Sequence, residues 1–142
     1  MSDRDPGVDP VWCIVVAGGS GRRFGGAKQW VELAGATVVE RSVATAAAVC
    51  DGVVVVVPAG DLDAADIEGA TQVVAGGDSR SASVRAGLAA VPEEAAVVLV
   101  HDAARPLADR ALFERVVDAV RGGADVAIPV VAVSDTIRHV DG

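Results

Sequence analysis

Between Cys13 and Gln29 the chain reads CIVVAGGSGRRFGGAKQ, an apolar run that passes directly into a loop holding five glycines, Ser20, Arg22, Arg23 and Lys28. Glycine admits positive φ and lets another molecule approach the main chain closely. Amide N–H groups exposed in such a loop form an anion cradle, which a helix N-terminus behind it strengthens. With two arginines and a lysine beside those amides, the chemistry indicated is polyphosphate binding. Two familiar phosphate loops do not fit. A Walker A loop requires GxxxxGK[ST], whereas Gly21 to Gln29 reads GRRFGGAKQ, with no hydroxyl after Lys28. The dinucleotide fingerprint GxGxxG meets Phe24 where its last glycine belongs, and Glu40 is a weak match for its acidic residue. A plain glycine turn with solvated arginines is the alternative use of the same residues.

Three further polar clusters follow apolar runs. Gly76 to Arg85, GGDSRSASVR, is a second glycine turn leading into a helix, with Ser79 or Ser81 as its N-cap. His101 to Pro106, HDAARP, follows a very apolar strand, and Ser134-Asp135-Thr136 follows another. Asp102 at a strand exit opposite a polyphosphate loop is a natural Mg²⁺ ligand, because Mg²⁺ takes one or two carboxylates plus substrate phosphates and water. An ion pair with Arg105 or a helix cap would use it equally well. Asp78 and Ser83 could cap the helix or bond a ligand's base and ribose. Arg80, Arg85 and Arg105 have an alternative as helix-surface charges. Asp135-Thr136 pairs an acceptor with a donor, which suits a phosphorylated second substrate. His101 has no Ser or Cys partner spaced for a triad and reads as structural.

These clusters require a scaffold that collects them. Apolar runs at 13–16, 53–57, 71–75, 96–100 and 126–131 read as five strands. Their unbroken character marks strands covered on both faces. Helices are expected at about 38–49, 61–68 (short and polar), from the second glycine turn to about Val91, and 109–121. Strands alternating with helices imply a parallel sheet with right-handed crossovers. Ligands of such sheets bind outside the carboxyl ends of the strands, so the polar clusters should gather on one edge.

Composition is compatible with this. The chain has 142 residues, enough for one domain that buries about 68–70% of its unfolded surface. It is 51% hydrophobic but only 3% aromatic, so the core must be built from Val, Ala, Leu and Ile. The net charge of −8 argues against nucleic acid as a partner, since a phosphate backbone demands a basic face. A small polyphosphate needs only local positive charge. Cys13 and Cys50 have no metal or redox spacing and read as small buried hydrophobes. Residues 1–11 read as a flexible tail, and nothing has the pattern of a signal peptide or a membrane span. A cytoplasmic protein is expected.

In order and spacing, VVAGGSGRRFGGAKQWVELAG, GGDSRSASVRAGL, VLVHDAARP and SDTIR resemble the 2-C-methyl-D-erythritol 4-phosphate cytidylyltransferase family across nearly all of residues 12–140. HDAARP together with GGxxRxxSVxxGL is a highly specific combination. The resemblance implies a Rossmann-like α/β/α sandwich of the nucleotide-diphospho-sugar transferase type over residues 12–142. It also implies transfer of CMP from CTP to a phosphorylated tetritol, with Mg²⁺ and release of pyrophosphate. Carried over by position, Ala17, Gly18, Gly19 and Gly21 would hold the CTP phosphates and approach the base. Arg23 and Lys28 would stabilise charge on the α-phosphate. Gly77, Asp78 and Ser83 would contact cytosine and ribose. Asp102 would bind Mg²⁺ at the substrate site, and Arg105 and Thr136 would address the sugar phosphate.

Departures from the family pattern are Val16-Ala17-Gly18-Gly19 in place of PAAG and Ala27 in place of proline. AGGSGRR also leans toward a molybdopterin-guanylyltransferase style of loop, although the later motifs do not. Family members continue past the DTI segment. The expectation is therefore a domain truncated at its C-terminus, with the family's homodimer and its turnover in doubt. A ribitol 5-phosphate cytidylyltransferase, or a partner-dependent CTP-binding module, are the alternative functions.

Overall fold

The computed structural model describes residues 9–18 and 28–135. Its centre is a four-stranded parallel sheet made of β1 (Val11–Val16), β4 (Gly52–Val57), β5 (Gln72–Ala75) and β6 (Val97–Asp102), in the order β5-β4-β1-β6. A two-stranded hairpin, β2 (Glu32–Leu33) and β3 (Ala36–Thr37), precedes α1 (Val38–Val49). Its turn places Ala34 at φ 51° and Gly35 at φ 85°, the left-handed region that glycine adopts without strain. The remaining helices are α2 (Arg80–Ala89) and α3 (Arg110–Arg121). The result is a Rossmann-like α/β/α sandwich, as the alternation of runs in the sequence requires. β1 starts one residue before the boundary expected at 12, and the Pro10 carbonyl already accepts from Ala96 and Val97.

Pleat alternation divides the sheet between two helical layers. Cys13 and Val15 of β1 and Val53, Val55 and Val57 of β4 join Val39, Val43 and Ala46 of α1 and Phe113 and Val117 of α3 in one core. On the other face lie Ile14, Val54 and Val56, all fully buried. There α2 comes so close that a Cβ on Gly87 would stand 2.5 Å from Ile14 Cγ2 and 2.9 Å from Val56 Cγ2. Glycine at this position sets the distance between helix and sheet. Both cysteines are buried and free, and the Cys13 thiol is pushed up by its hydrogen bond to Cys50 and by burial, which keeps it unreactive.

Local signals fix where the helices begin. Thr37 and Glu40 form a reciprocal capping box, in which Glu40 Oε2 accepts from Thr37 N–H at 2.6 Å and Thr37 Oγ1 accepts from Glu40 N–H at 3.3 Å. These bonds hold the Glu40 carboxyl below its usual value and leave it serving the cap, not a ribose. Ser79 Oγ accepts from Ala82 N–H to cap α2, and Asp109 Oδ1 accepts from Leu112 N–H to cap α3.

Two expected elements differ. The polar helix expected at 61–68 is a 3-10 turn over Ala59–Ala64. The expected fifth strand at 126–131 pairs with no strand among the described residues. Pro129 stands in the middle of that run and offers no N–H to a ladder. The segment instead leaves a gap of about 600 Å³ against Val98 and Val100 of β6 and Leu112 and Phe113 of α3. Its side chains remain in solvent, with Ile128 77% and Val131 91% exposed.

Candidate functional site

The parallel register brings the strand ends to one edge: Val16 pairs with both Val56 and Asp102, and Val57 pairs with Ala75. The turns that leave this edge enclose a cleft of about 990 Å³. Gly18, Gly77, Asp78, Ser83, Asp102 and Arg105 all line it, together with Ser79 and Arg80. Six residues selected from separate stretches of the sequence therefore share one surface.

Ser83 forms the floor. It is buried on the first turns of α2, and its Oγ accepts from Gly77 N–H at 3.3 Å. A Cβ at Gly18 would come within 3.3 Å of that oxygen, and one at Gly76 within 2.6 Å. The two glycine turns thus close over a single hydroxyl, and their lack of side chains gives a ligand direct access to backbone. Ala17 lies below the cleft surface. It is buried, and its N–H donates to the Val56 carbonyl at 2.8 Å, so that amide serves the sheet. Ala103, just past Asp102, is fixed similarly by a bond from its N–H to the Val16 carbonyl. Ser42 of α1 adds a buried bond to the Ala103 carbonyl at 3.0 Å.

Asp102 is the last residue of β6, one register step from the first glycine turn. Its Oδ1 accepts from Arg80 Nε at 3.1 Å and Nη2 at 3.0 Å, and Arg105 Nε lies 3.7 Å from Oδ2. Its side chain is 35% exposed, against 62% for Arg80 and 77% for Arg105. Exposed pairs of this kind contribute about 0–1 kcal/mol, so the two guanidiniums can turn to an incoming anion at little cost. Among the described residues there is no group of three His, Cys, Asp or Glu able to hold a metal. A lone hard carboxylate at the rim of a cleft suits a cation delivered with phosphates, not one held by protein alone.

His101 points away from this chemistry. Its ring packs on Phe113 at 5.0 Å, and burial lowers its pKa, with Asp102 opposing the shift. Lys28 begins a 3-10 turn, Lys28–Trp30, and is not among the residues lining the cleft. It nevertheless belongs to the same edge. α1 runs back from the carboxyl ends of the strands, and residues 28–37 precede its start. Trp30 Nε1 donates to Asp61 Oδ2, tying that turn to the segment after β4. Gly19, Gly21, Arg23 and Thr136 lie outside the described residues.

Arg80 was legible as an arginine of the second glycine turn, with a helix-surface charge as its alternative, but its contact with Asp102 spans 22 positions. Ser42 and Gly87 carried no signal beyond being small residues in helical runs. Their roles depend on what faces them across the fold.

A family model described as 2-C-methyl-D-erythritol 4-phosphate cytidylyltransferase matches residues 11–142. A relative of that name from Rhodococcus jostii is 44% identical over 141 residues, covering 95% of this chain and 62% of its own. The bifunctional enzyme IspD/IspF of Anaeromyxobacter dehalogenans is 48% identical over 136 residues, covering 90% of this chain and 34% of its own. Among solved structures, a 4-diphosphocytidyl-2C-methyl-D-erythritol synthase superposes with a TM-score of 0.72 at 28% identity, covering 94% of this chain and 65% of that one. The chain therefore spans less than two thirds of the length of these similar proteins.

Proposed function

Because the chain belongs to the 2-C-methyl-D-erythritol 4-phosphate cytidylyltransferase family, we propose that it binds CTP in the cleft at the carboxyl edge of its sheet and transfers CMP to 2-C-methyl-D-erythritol 4-phosphate. A phosphate oxygen of the acceptor attacks the α-phosphorus of CTP. A new P–O–P link forms, the bond from the α-phosphorus to the bridging oxygen breaks, and pyrophosphate leaves. No protein nucleophile is needed; positioning and charge neutralisation supply the catalysis.

The observation that carries the reading is the convergence of Gly18, Gly77, Asp78, Ser83, Asp102 and Arg105 on one cleft. Gly18, with Gly19 and Gly21, offers backbone to the triphosphate, and Ala17 supports that turn through its bond to β4. In this reading Gly77, Asp78 and Ser83, which line the cleft, contact base and ribose. Arg23 and Lys28 stabilise the negative charge that develops on the α-phosphate. Arg105 and Thr136 receive the acceptor's phosphate. Asp102 would hold Mg²⁺, which when bound neutralises phosphate charge.

Calorimetry with CTP, GTP and ATP, with and without Mg²⁺, tests the nucleotide assignment: CTP is expected to bind best, and a preference for GTP refutes it. Pyrophosphate release with 2-C-methyl-D-erythritol 4-phosphate, against ribitol 5-phosphate, tests the acceptor. A second reading, a CTP-binding module that turns over only with further polypeptide, is favoured by the outer edge of β6, which pairs with no strand among the described residues, and by the exposed apolar run at 126–133. CTP binding without pyrophosphate release would select it.

A further inference from the structure

Both oxygens of Asp102 face guanidiniums before any ligand arrives. Arg80 places two N–H groups on Oδ1, at 3.0 and 3.1 Å, and Arg105 lies 3.7 Å from Oδ2. Two positive charges thus flank this one carboxylate, with Asp78 elsewhere on the same cleft balancing the second. A divalent cation approaching Oδ1 alone meets the Arg80 guanidinium, whose two N–H groups already use the lone pairs it needs on that oxygen. Arg80 is the first residue of α2, and that helix is fixed by its Ser79 cap and by the close seat of Gly87 on β1 and β4. The guanidinium is therefore delivered to Asp102 by a rigid element, while its own exposed side chain can swing away. A triphosphate entering the cleft offers Arg80 stronger and more numerous acceptors than one carboxylate.

We propose that Arg80 is a positioning residue that competes with the divalent cation for Asp102 Oδ1, so that the cation joins the site with the nucleotide and not before it. This rests on the assignment of Asp102 as the cation's carboxylate. The chain's own net charge of −8 would otherwise favour cations generally. The Arg80–Asp102 pair makes this particular carboxylate an exception, and so discourages loading of metal without substrate.

Titration of the full chain with Mn²⁺ alone, followed by paramagnetic broadening of the Ala103 and Ala104 amide NMR signals, reads this directly. Because Arg80 leaves an exposed ion pair at little cost, its replacement in Arg80→Gln is expected to lower the Mn²⁺ concentration needed by roughly two- to fivefold. Arg80→Lys, which keeps the charge but not the paired N–H groups, should fall between Arg80→Gln and the wild type. Adding Asp102→Asn to Arg80→Gln should abolish the broadening. Equal Mn²⁺ concentrations for wild type and Arg80→Gln, or broadening that survives Asp102→Asn, would overturn the proposal. CTP titrated without metal into the wild type, on the same spectra, reports separately whether the cleft takes the nucleotide.

Discussion

Replacing Gly87 by alanine sets two opposing effects against each other. In an exposed helix the change is favourable by about 1 kcal/mol, because alanine loses less backbone freedom on folding. Here the added methyl would meet Ile14 Cγ2 at 2.5 Å and Val56 Cγ2 at 2.9 Å. Carbon atoms at rest stand about 3.5–4.0 Å apart, so α2 must step outward by roughly 1 Å at that turn. Neither partner can yield, since both methyls sit on branched Cβ atoms of fully buried central-strand residues. Overpacking of this kind costs about 1–3 kcal/mol. Offset by the propensity gain, the net loss should be roughly 1 kcal/mol. With a urea m-value of about 1–3 kcal/mol/M, the midpoint of unfolding followed by far-ultraviolet circular dichroism should fall by roughly 0.3–1 M. Ser83 lies one turn back on the same buried face, so nucleotide affinity should fall as well under fully folded conditions. A midpoint equal to or above that of the wild type would refute the claim that Gly87 sets the seating of the helix.

Three other perturbations have defined outcomes. Thr37→Ala removes the oxygen that caps Glu40 N–H and breaks the reciprocal box, so urea unfolding should show a loss of about 1 kcal/mol. Lys28→Ala and Arg23→Ala should each lower kcat by roughly 10²–10³-fold, as for loss of one oriented donor at a developing charge; wild-type turnover in a steady-state pyrophosphate assay would remove that residue from the mechanism. His101 is held below its ordinary value of 6.5 chiefly by burial, so the unfolded chain takes up the proton first. Stability should therefore fall as pH drops through 6.5 and continue to fall until the folded imidazole also protonates. Urea midpoints measured from pH 7.5 to 5.5 should show this slope flattened in His101→Asn, and an identical slope would contradict the burial.

The exposed apolar run at 126–133 shows where a pattern of residue types is insufficient. Val, Ala and Ile in sequence meet the criteria for a buried strand, yet a strand exists only where a neighbour's edge supplies ladder bonds and a surface to cover. Pro129 withholds one of those bonds, and the segment stands off β6 by a cavity's width. Asp102 illustrates the opposite case. It was selected for its position after an apolar run, and the strand proves to extend to include it.

What the sequence determined by itself was the local and the periodic: α1 and α3 within a residue, Ser79 as one of two candidate caps for α2, and the order along the chain of the four sheet strands and the three α-helices. These depend on neighbours a few positions apart, and from them the gathering of glycine turns at one sheet edge follows by topology. Tertiary structure alone decided that Arg80 reaches Asp102, that Ser83 Oγ lies beneath two glycine turns, that Ser42 secures the Ala103 carbonyl, and that Gly87 admits α2 to the sheet. Each of those contacts joins groups far apart in the chain. Its energy depends on separations of a few tenths of an ångström, which packing fixes and residue order does not encode locally.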